Sequence, residues 1–298
     1  MKLTEDKEKY FQIAGLILCI NYPDGFPMGN FLFSFKPFYL ADKPKDWDIY
    51  VNVTLDKPNK RSENYKLLSD ISQVWGDRFQ LEESEEDYIT TINSGSGDPW
   101  QMHSQKDFKK SVIYVGNIEE MQSNHLSWLL MVAFGQHAIF HKGILIHSSV
   151  IIKDGQGFGF LGKSGTGKST HSRMWLEHLK DTELLNDDNP MIRIMPDETV
   201  MIFGTPWSGK TACYKNKQVP LKALVRLEQA PENMWTEMQG KQALLQILPS
   251  CTGLRWNADL YNKMLDNLEE ILAVTKIAYL KCLPNGGAAR LNYERLID

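Results

Sequence analysis

The stretch 160–170, FLGKSGTGKST, constrains this chain more than any other part of its sequence. Gly162, Gly167, Lys168 and Ser169 fit the pattern G-x-x-x-x-G-K-[ST], the P-loop or Walker A motif. An apolar run, GFGF, comes directly before the loop, and a helical pattern, STHSRMWLEHL, begins inside its last residues. The stretch therefore predicts a strand, a glycine-rich turn and a helix in immediate succession.

A loop of this kind is suited to holding phosphates. Its glycines let successive backbone N–H groups turn inward, and the next helix directs its positive end at the bound anion. Lys168 is expected to neutralise the β- and γ-phosphates, and the Ser169 hydroxyl to bind Mg²⁺. We therefore expect ATP and Mg²⁺ as cofactors, and the flanking pattern disfavours an ordinary glycine-rich turn. The predicted nucleotide-binding residues are Gly162, Ser164, Gly165, Thr166, Gly167, Lys168, Ser169 and Thr170.

Two adjacent carboxylates, Asp187 and Asp188, follow the apolar stretch ELL. In a doubly wound sheet, a strand that ends beside the P-loop strand faces the same crevice. One carboxylate there can bind Mg²⁺ while the other accepts the proton of an attacking hydroxyl. NDDNP is also rich in turn-forming residues, but beside a P-loop the catalytic interpretation is favoured.

His147 and the segment GTPWSGK (204–210) are further candidates. A lone histidine on an apolar strand is usually a satisfied core residue, but the strand GILIHSSVII is expected beside the loop. Thr205, Ser208 and Lys210 could present donors to a phosphate or substrate, and a β-turn capped by a packed Trp207 fits the segment equally well. Arg226 and Arg255 could reach the γ-phosphate or lie on the surface, and their spacing does not decide between these positions.

The chain changes character along its length. The first 120 residues alternate short apolar segments, among them NFLFSFKPFYL (30–40), with polar breaks, which predicts strands joined by turns. The acidic run LEESEEDY (81–88) and TINSGSGDPW (91–100) are expected to form a solvated edge and a loop. Helical periodicity begins at HLSWLLMVAF. We therefore predict a β-rich module over 1–122 and a P-loop α/β catalytic domain over 123–298.

Composition excludes several classes of protein. The 298 residues include 42% hydrophobic types, and the formal net charge is −4. No basic run with interleaved aromatics predicts a nucleic-acid partner, and no apolar run is long enough to span a membrane. The four cysteines are far apart with no CxxC pair, which argues against a zinc site or a disulfide framework. Together with the lack of a secretory signal pattern, these features predict a cytoplasmic protein, and they leave the oligomeric state open.

The segment HSSVIIKDGQGFGFLGKSGTGKST, taken with LLNDD, resembles the catalytic domain of HPr kinase/phosphorylase, and it is similar to the loop and strand of ATP-dependent phosphoenolpyruvate carboxykinases. The resemblance covers roughly residues 140–230. It implies a mixed-sheet kinase fold with His147 next to the reacting phosphate. By matching motifs, Asp188 is assigned to the metal and Asp187 to the base, although the order is not fixed. HPr kinase-like bacterial proteins carrying GTPW-x-GK add weight to Lys210 as a phosphate or substrate contact.

The chain also departs from these relatives. Thr170 stands where HPr kinases have glutamate, and the segment linked to their phosphatase activity has no counterpart. The leading hypothesis is a kinase that moves the γ-phosphate of ATP to a hydroxyl, a serine on a protein or peptide. The alternative is a nucleotide-binding regulatory or assembly module with little turnover. A carboxykinase-like lyase is the weakest candidate, because the substrate-binding motifs of those enzymes are not recognisable.

Overall fold

The structure is a computed structural model that describes residues 6–58, 64–72, 78–93, 98–116, 124–209 and 211–297. The chain divides into two compact units, Met1–His137 and Ala138–Asp298. Both units are mixed α/β structures built on large mixed sheets. Among the helices of these described ranges, none has the length and apolarity needed to cross a membrane.

The first unit is built on one nine-stranded sheet. Its strands are β1 (Asp6–Ile13), β2 (Leu16–Pro23), β3 (Tyr39–Leu40), β4 (Ile49–Thr54), β5 (Lys66–Ser72), β6 (Arg78–Glu83), β7 (Asp87–Asn93), β8 (Trp100–Gln105) and β9 (Lys110–Tyr114). Their order is β3-β1-β2-β4-β9-β8-β7-β6-β5. Strand β4 runs parallel to β2 and β9, and the other neighbouring pairs are antiparallel. The unit also holds α1 (Met28–Phe31), a 3₁₀ helix (Phe33–Phe38) and α2 (His125–Ala138).

Helix α2 lies in the first unit except for its last residue, Ala138. The predicted boundary lay between 122 and 123, ahead of the helix. In the structure the Trp128 ring packs edge-on against Phe79 with centroids 4.6 Å apart. His137 Nδ1 lies 2.7 Å from the Asp107 carbonyl oxygen. These contacts attach the helix to the sheet of the first unit.

Two local predictions in this unit were wrong. Most of NFLFSFKPFYL is helical, because Phe31, Phe35 and Phe38 recur at helical spacing and are all buried. The acidic run 81–88, predicted as a solvated edge, instead holds the end of β6 and the start of β7, with Leu81 and Tyr88 each 1% exposed. Burial of these apolar residues outweighs the charge of the glutamates between them.

The second unit carries the glycine loop. Its strands are β10 (Gly143–Leu145), β11 (Ser148–Lys153), β12 (Gln156–Leu161), β13 (Thr182–Asp188), β14 (Met191–Ile194), β15 (Val200–Phe203), β16 (Gln218–Gln229), β17 (Met234–Met238) and β18 (Lys276–Cys282). Its α-helices are α3 (Lys168–His178), α4 (Gly240–Ile247), α5 (Ala258–Val274) and α6 (Gly286–Ile297). Short 3₁₀ helices span Ile139–His141 and Leu248–Ser250.

The strand directions determine what meets at the loop. The order is β10-β14-β15-β16-β12-β11-β13, and β18 pairs with both β16 and β17. Strand β11 is antiparallel to both β12 and β13, so β13 runs in the same direction as β12. Strand β16 is parallel to β12. The C-terminal ends of β12, β13 and β16 therefore lie at one edge of the sheet.

An aromatic cluster fixes α3 against the sheet. Trp175 is fully buried, and its ring lies 5.1 Å from that of Phe158 and 5.2 Å from that of Phe160, measured between centroids. Ser149 and Ser172 hydroxyls, 2.6 Å apart, join β11 to the same helix. These contacts hold the first turn of α3 at the edge where the strands end.

Candidate active site

A row of paired residues crosses four strands at this edge. Arg226 of β16 pairs with Leu161 of β12. Leu161 pairs with Ser148 of β11, and Ser148 pairs with Asp188 of β13. Neighbouring strands lie about 4.8 Å apart, so Arg226 and Asp188 flank the start of the glycine loop from opposite sides. We call these four residues the cross-strand row.

The loop between β12 and α3 has a conformation that depends on glycine. Gly165 and Gly167 have φ of +79° and +103°, which side chains rarely tolerate. A Cβ atom on Gly162 would lie only 2.9 Å from the Thr166 Cβ. The Thr166 N–H donates to the Lys163 carbonyl at 3.1 Å, which closes a tight turn. Each glycine of the predicted motif thus occupies a position that a larger residue would disturb.

The N-terminus of α3 presents donors without a side-chain cap. The helix begins at Lys168, and its N-cap residue Gly167 makes no side-chain hydrogen bond. The first N–H groups of a helix lack intrahelical partners and carry the positive end of its dipole. Together with the preceding turn, they suit an anion such as a phosphate group.

Lys168 is a partly buried cation at the centre of the site. Its Nζ donates to the Gly162 carbonyl at 3.1 Å. Burial lowers the pKa of the Lys168 ammonium, the nearby carboxylates of Asp188 and Asp187 oppose that shift, and Arg226 adds to it. The ammonium is therefore poorly solvated, and a bound anion would stabilise its charged form.

The two aspartates have different partners. The Ser169 hydroxyl donates to Asp187 Oδ1 at 2.9 Å, and the Asp187 side chain is largely buried. Asp188 Oδ1 lies 3.1 Å from His147 Nε2, and Asp188 Oδ2 accepts a 2.9 Å hydrogen bond from the Asn189 amide. Asp187 is thus joined to the residue expected to bind Mg²⁺, and Asp188 to the histidine. The sequence left the order of their two roles open, and that order stays a prediction.

The sequence predicted that the strand ending at Asp188 would lie directly beside the loop strand. In the structure, β13 is not the neighbour of β12. Strand β11 separates the two, and His147 immediately precedes it. The predicted strand GILIHSSVII is interrupted at Ile146 and His147, where the His147 N–H donates to the Ser250 carbonyl at 2.7 Å. This break puts the His147 side chain, 44% exposed, next to Asp188 instead of inside a continuous strand.

The segment GTPWSGK folds back onto the two aspartates. The Gly209 N–H donates to the Asp187 carbonyl at 2.7 Å, and Ser208 forms a β-bridge with Asp188. Trp207 is 6% exposed, as expected for a packed turn. The segment therefore borders the site and also contributes to the core. Lys210 lies outside the described residues.

The other predicted residues have mixed positions. Ser164 is exposed in the loop, and Thr170 lies in the first turn of α3. Arg255 is exposed in the turn before α5. Two contributing residues were not predicted: the Gln229 amide donates to the Gly165 carbonyl at 3.2 Å, and Ser250 contacts both Arg226 and His147. Neither residue belongs to a motif that would have indicated it.

Comparisons with known proteins give little further guidance. No protein-family model matches the chain, and no curated protein matches it. Among solved structures, the HPr(Ser) kinase/phosphatase from Coxiella burnetii matches with a TM-score of 0.30 and 11% identity, covering 51% of this chain and 93% of that chain. At this level the match assigns neither a substrate nor an activity to this chain.

Proposed function

We propose that the protein is an ATP- and Mg²⁺-dependent kinase that transfers the γ-phosphate to a hydroxyl, a serine of a protein or peptide. The observation that carries this proposal is the meeting of the glycine loop, Lys168, the two aspartates and His147 at one sheet edge. Phosphoryl transfer depends mainly on positioning and charge stabilisation, and this edge supplies amides, a cation and carboxylates together.

The donor side of the site would hold the triphosphate. Backbone N–H groups of the loop and the uncapped start of α3 would bind phosphate oxygens. Lys168 would give up its bond to the Gly162 carbonyl and bind the β- and γ-phosphates. Both steps place positive charge where negative charge grows during transfer.

The residues at the β13 end fit a magnesium ion. Mg²⁺ is usually held by one or two carboxylates together with phosphate oxygens and water. Asp187 and the Ser169 hydroxyl, joined at 2.9 Å, would bind it. When bound, the ion supplies charge neutralisation at the β- and γ-phosphate oxygens. No group of three or more His, Cys, Asp or Glu side chains that could hold a metal occurs within the described ranges.

Asp188 and His147 would serve the acceptor. The acceptor hydroxyl gives its proton to the Asp188 carboxylate as its oxygen bonds to the γ-phosphorus. The bond from that phosphorus to the bridging oxygen breaks, and ADP leaves with the bridging oxygen. His147, 3.1 Å from Asp188 Oδ1, would hold the carboxylate in position. The partial exposure of both side chains leaves room for an acceptor to approach.

The test is phosphoryl transfer from γ-labelled ATP, with Mg²⁺, to a library of serine-containing peptides, read by mass spectrometry of the products. Asp188→Asn is expected to lower transfer by about 100-fold or more, since it removes the base. Asp187→Asn is expected to raise the Mg²⁺ concentration needed for half-maximal transfer. Asp266→Asn, an exposed aspartate on α5, is the matched control and should behave like wild type.

Three outcomes are informative. Labelled peptide that depends on Asp188 supports the kinase. ATP binding without labelled peptide or ATP consumption would instead support the nucleotide-binding module. If Asp187→Asn and Asp188→Asn consume ATP as fast as Asp266→Asn, the site described here is not where the chemistry occurs.

A further inference from the structure

Arg226 occupies the end of the cross-strand row opposite Asp188. Its strand β16 is the parallel neighbour of the loop strand, and its pairing partner Leu161 immediately precedes Gly162. The carboxylates and His147 all lie on the other flank of the loop. A triphosphate held by the loop would therefore have Arg226 on one side and the aspartates on the other.

The surroundings of Arg226 are unusual for a half-buried guanidinium. Among the described residues, no carboxylate lies within salt-bridge distance of it. Its charge acts on Lys168, a second partly buried cation. Two cations therefore lie close together, and one of them, Arg226, has no carboxylate partner. An anion that binds between the two stabilises the charges of both. Arginine also matches phosphate geometry with two parallel N–H donors.

Ser250 holds Arg226 in this position. The Arg226 Nη1 donates to the Ser250 hydroxyl oxygen at 3.4 Å. The Ser250 carbonyl accepts the His147 N–H at 2.7 Å, and Ser250 itself is 7% exposed at the end of the 3₁₀ helix Leu248–Ser250. One buried residue therefore connects the guanidinium on one flank with the histidine on the other.

We infer that Arg226 binds the terminal phosphate of the nucleotide, with Ser250 as its positioning residue. This assignment rests on the proposed function, because it needs a nucleotide triphosphate in the loop. The ligand contacted is the γ-phosphoryl group, whose charge Arg226 would share from strand β16 with Lys168 at the start of α3.

The experiment compares the Kd for ATP with the Kd for ADP, each measured by calorimetry with Mg²⁺. A residue that contacts the γ-phosphate contributes to ATP binding and little to ADP binding. Arg226→Ala is expected to reduce the preference for ATP over ADP by about ten- to a hundredfold, the range for a lost charged hydrogen bond. Arg226→Lys should recover part of the preference, and Ser250→Ala should lose about two- to tenfold. Arg290→Ala, an exposed arginine on α6 of the same unit, is the matched control.

A further readout separates contact from support of the fold. Guanidinium ion at millimolar concentration should restore ATP preference to Arg226→Ala, because it can fill the space of the lost group; a purely structural defect would not respond. If Arg226→Ala does not fold, Arg226→Lys and Ser250→Ala carry the comparison. If these variants prefer ATP over ADP as strongly as Arg290→Ala does, the inference is overturned and the kinase proposal is left intact. Wild-type protein that binds neither nucleotide removes both.

Discussion

We expect His171, in the first turns of α3, to make the second unit sensitive to acid. Its ring is 3% exposed, and its Nε2 accepts hydrogen bonds from Trp175 Nε1 at 3.1 Å and from the Asn292 amide at 3.2 Å. Burial lowers the pKa of His171 from 6.5 to about 4. Protonation would remove the acceptor and direct a new N–H at two donors, so the folded state strongly favours the neutral ring.

The size of the effect follows from linkage. Because the pKa of His171 is lower in the folded state, the unfolded chain binds the proton first as the pH falls. The contribution of the neutral His171 ring to stability is therefore complete above pH 6.5 and is lost between pH 6.5 and about 4. Each pH unit in this window costs about 1.4 kcal/mol. At pH 5, roughly 1.5 units below the unfolded value, the loss is about 2 kcal/mol.

The assay is hydrogen exchange of peptides from α3 at pH 7.5 and pH 5, corrected for intrinsic exchange rates, because it reports on this unit separately from the other. His171→Gln should be less stable than wild type at pH 7.5. Between pH 7.5 and pH 5, however, the variant should lose about 2 kcal/mol less stability than wild type loses. His178→Gln, an exposed histidine at the end of the same helix, should follow wild type. If His171→Gln loses as much stability as wild type between the two pH values, the buried ring is not the source of the acid sensitivity.

Two further substitutions test the loop and its support. Gly162→Ala would bring a Cβ atom to 2.9 Å from the Thr166 Cβ, so the ATP affinity measured by calorimetry should fall about tenfold or more. The control is Gly29→Ala, whose added Cβ has nothing within 4 Å and which should leave the ATP affinity unchanged. Trp175→Ala removes a fully buried ring that packs on Phe158, so urea unfolding should show a loss of about 3–5 kcal/mol; a loss under about 1 kcal/mol would contradict the packing described here.

The sequence predicted the local parts of the site well. The strand, turn and helix around Gly162–Ser169 are encoded within a short window, and the structure has β12 and α3 on either side of the loop. The position of Asp187 and Asp188 at a strand end was also predictable, because an apolar run followed by turn-forming residues marks such an end. Their functional roles stay predictions.

What the sequence did not reveal depends on pairing between distant segments. The insertion of β11 between the loop strand and β13 is a choice of partners, which local patterns do not encode. Ser250 reaches Arg226 and His147 only because the 3₁₀ helix after α4 returns to the sheet edge. The helical segment 28–38 was misjudged because closely spaced phenylalanines fit a strand and a helix equally well over so short a length.

The placement of β11 has a practical consequence for protein engineering. A graft of residues 156–188 into another scaffold would carry the glycine loop, α3 and both aspartates, yet it would lack the strand that separates and aligns them. In such a graft β12 and β13 would lack β11, the strand that pairs with both of them. No strand pairing would then hold Asp187 within hydrogen-bond distance of Ser169. The smallest portable version of this site therefore has to begin upstream of His147.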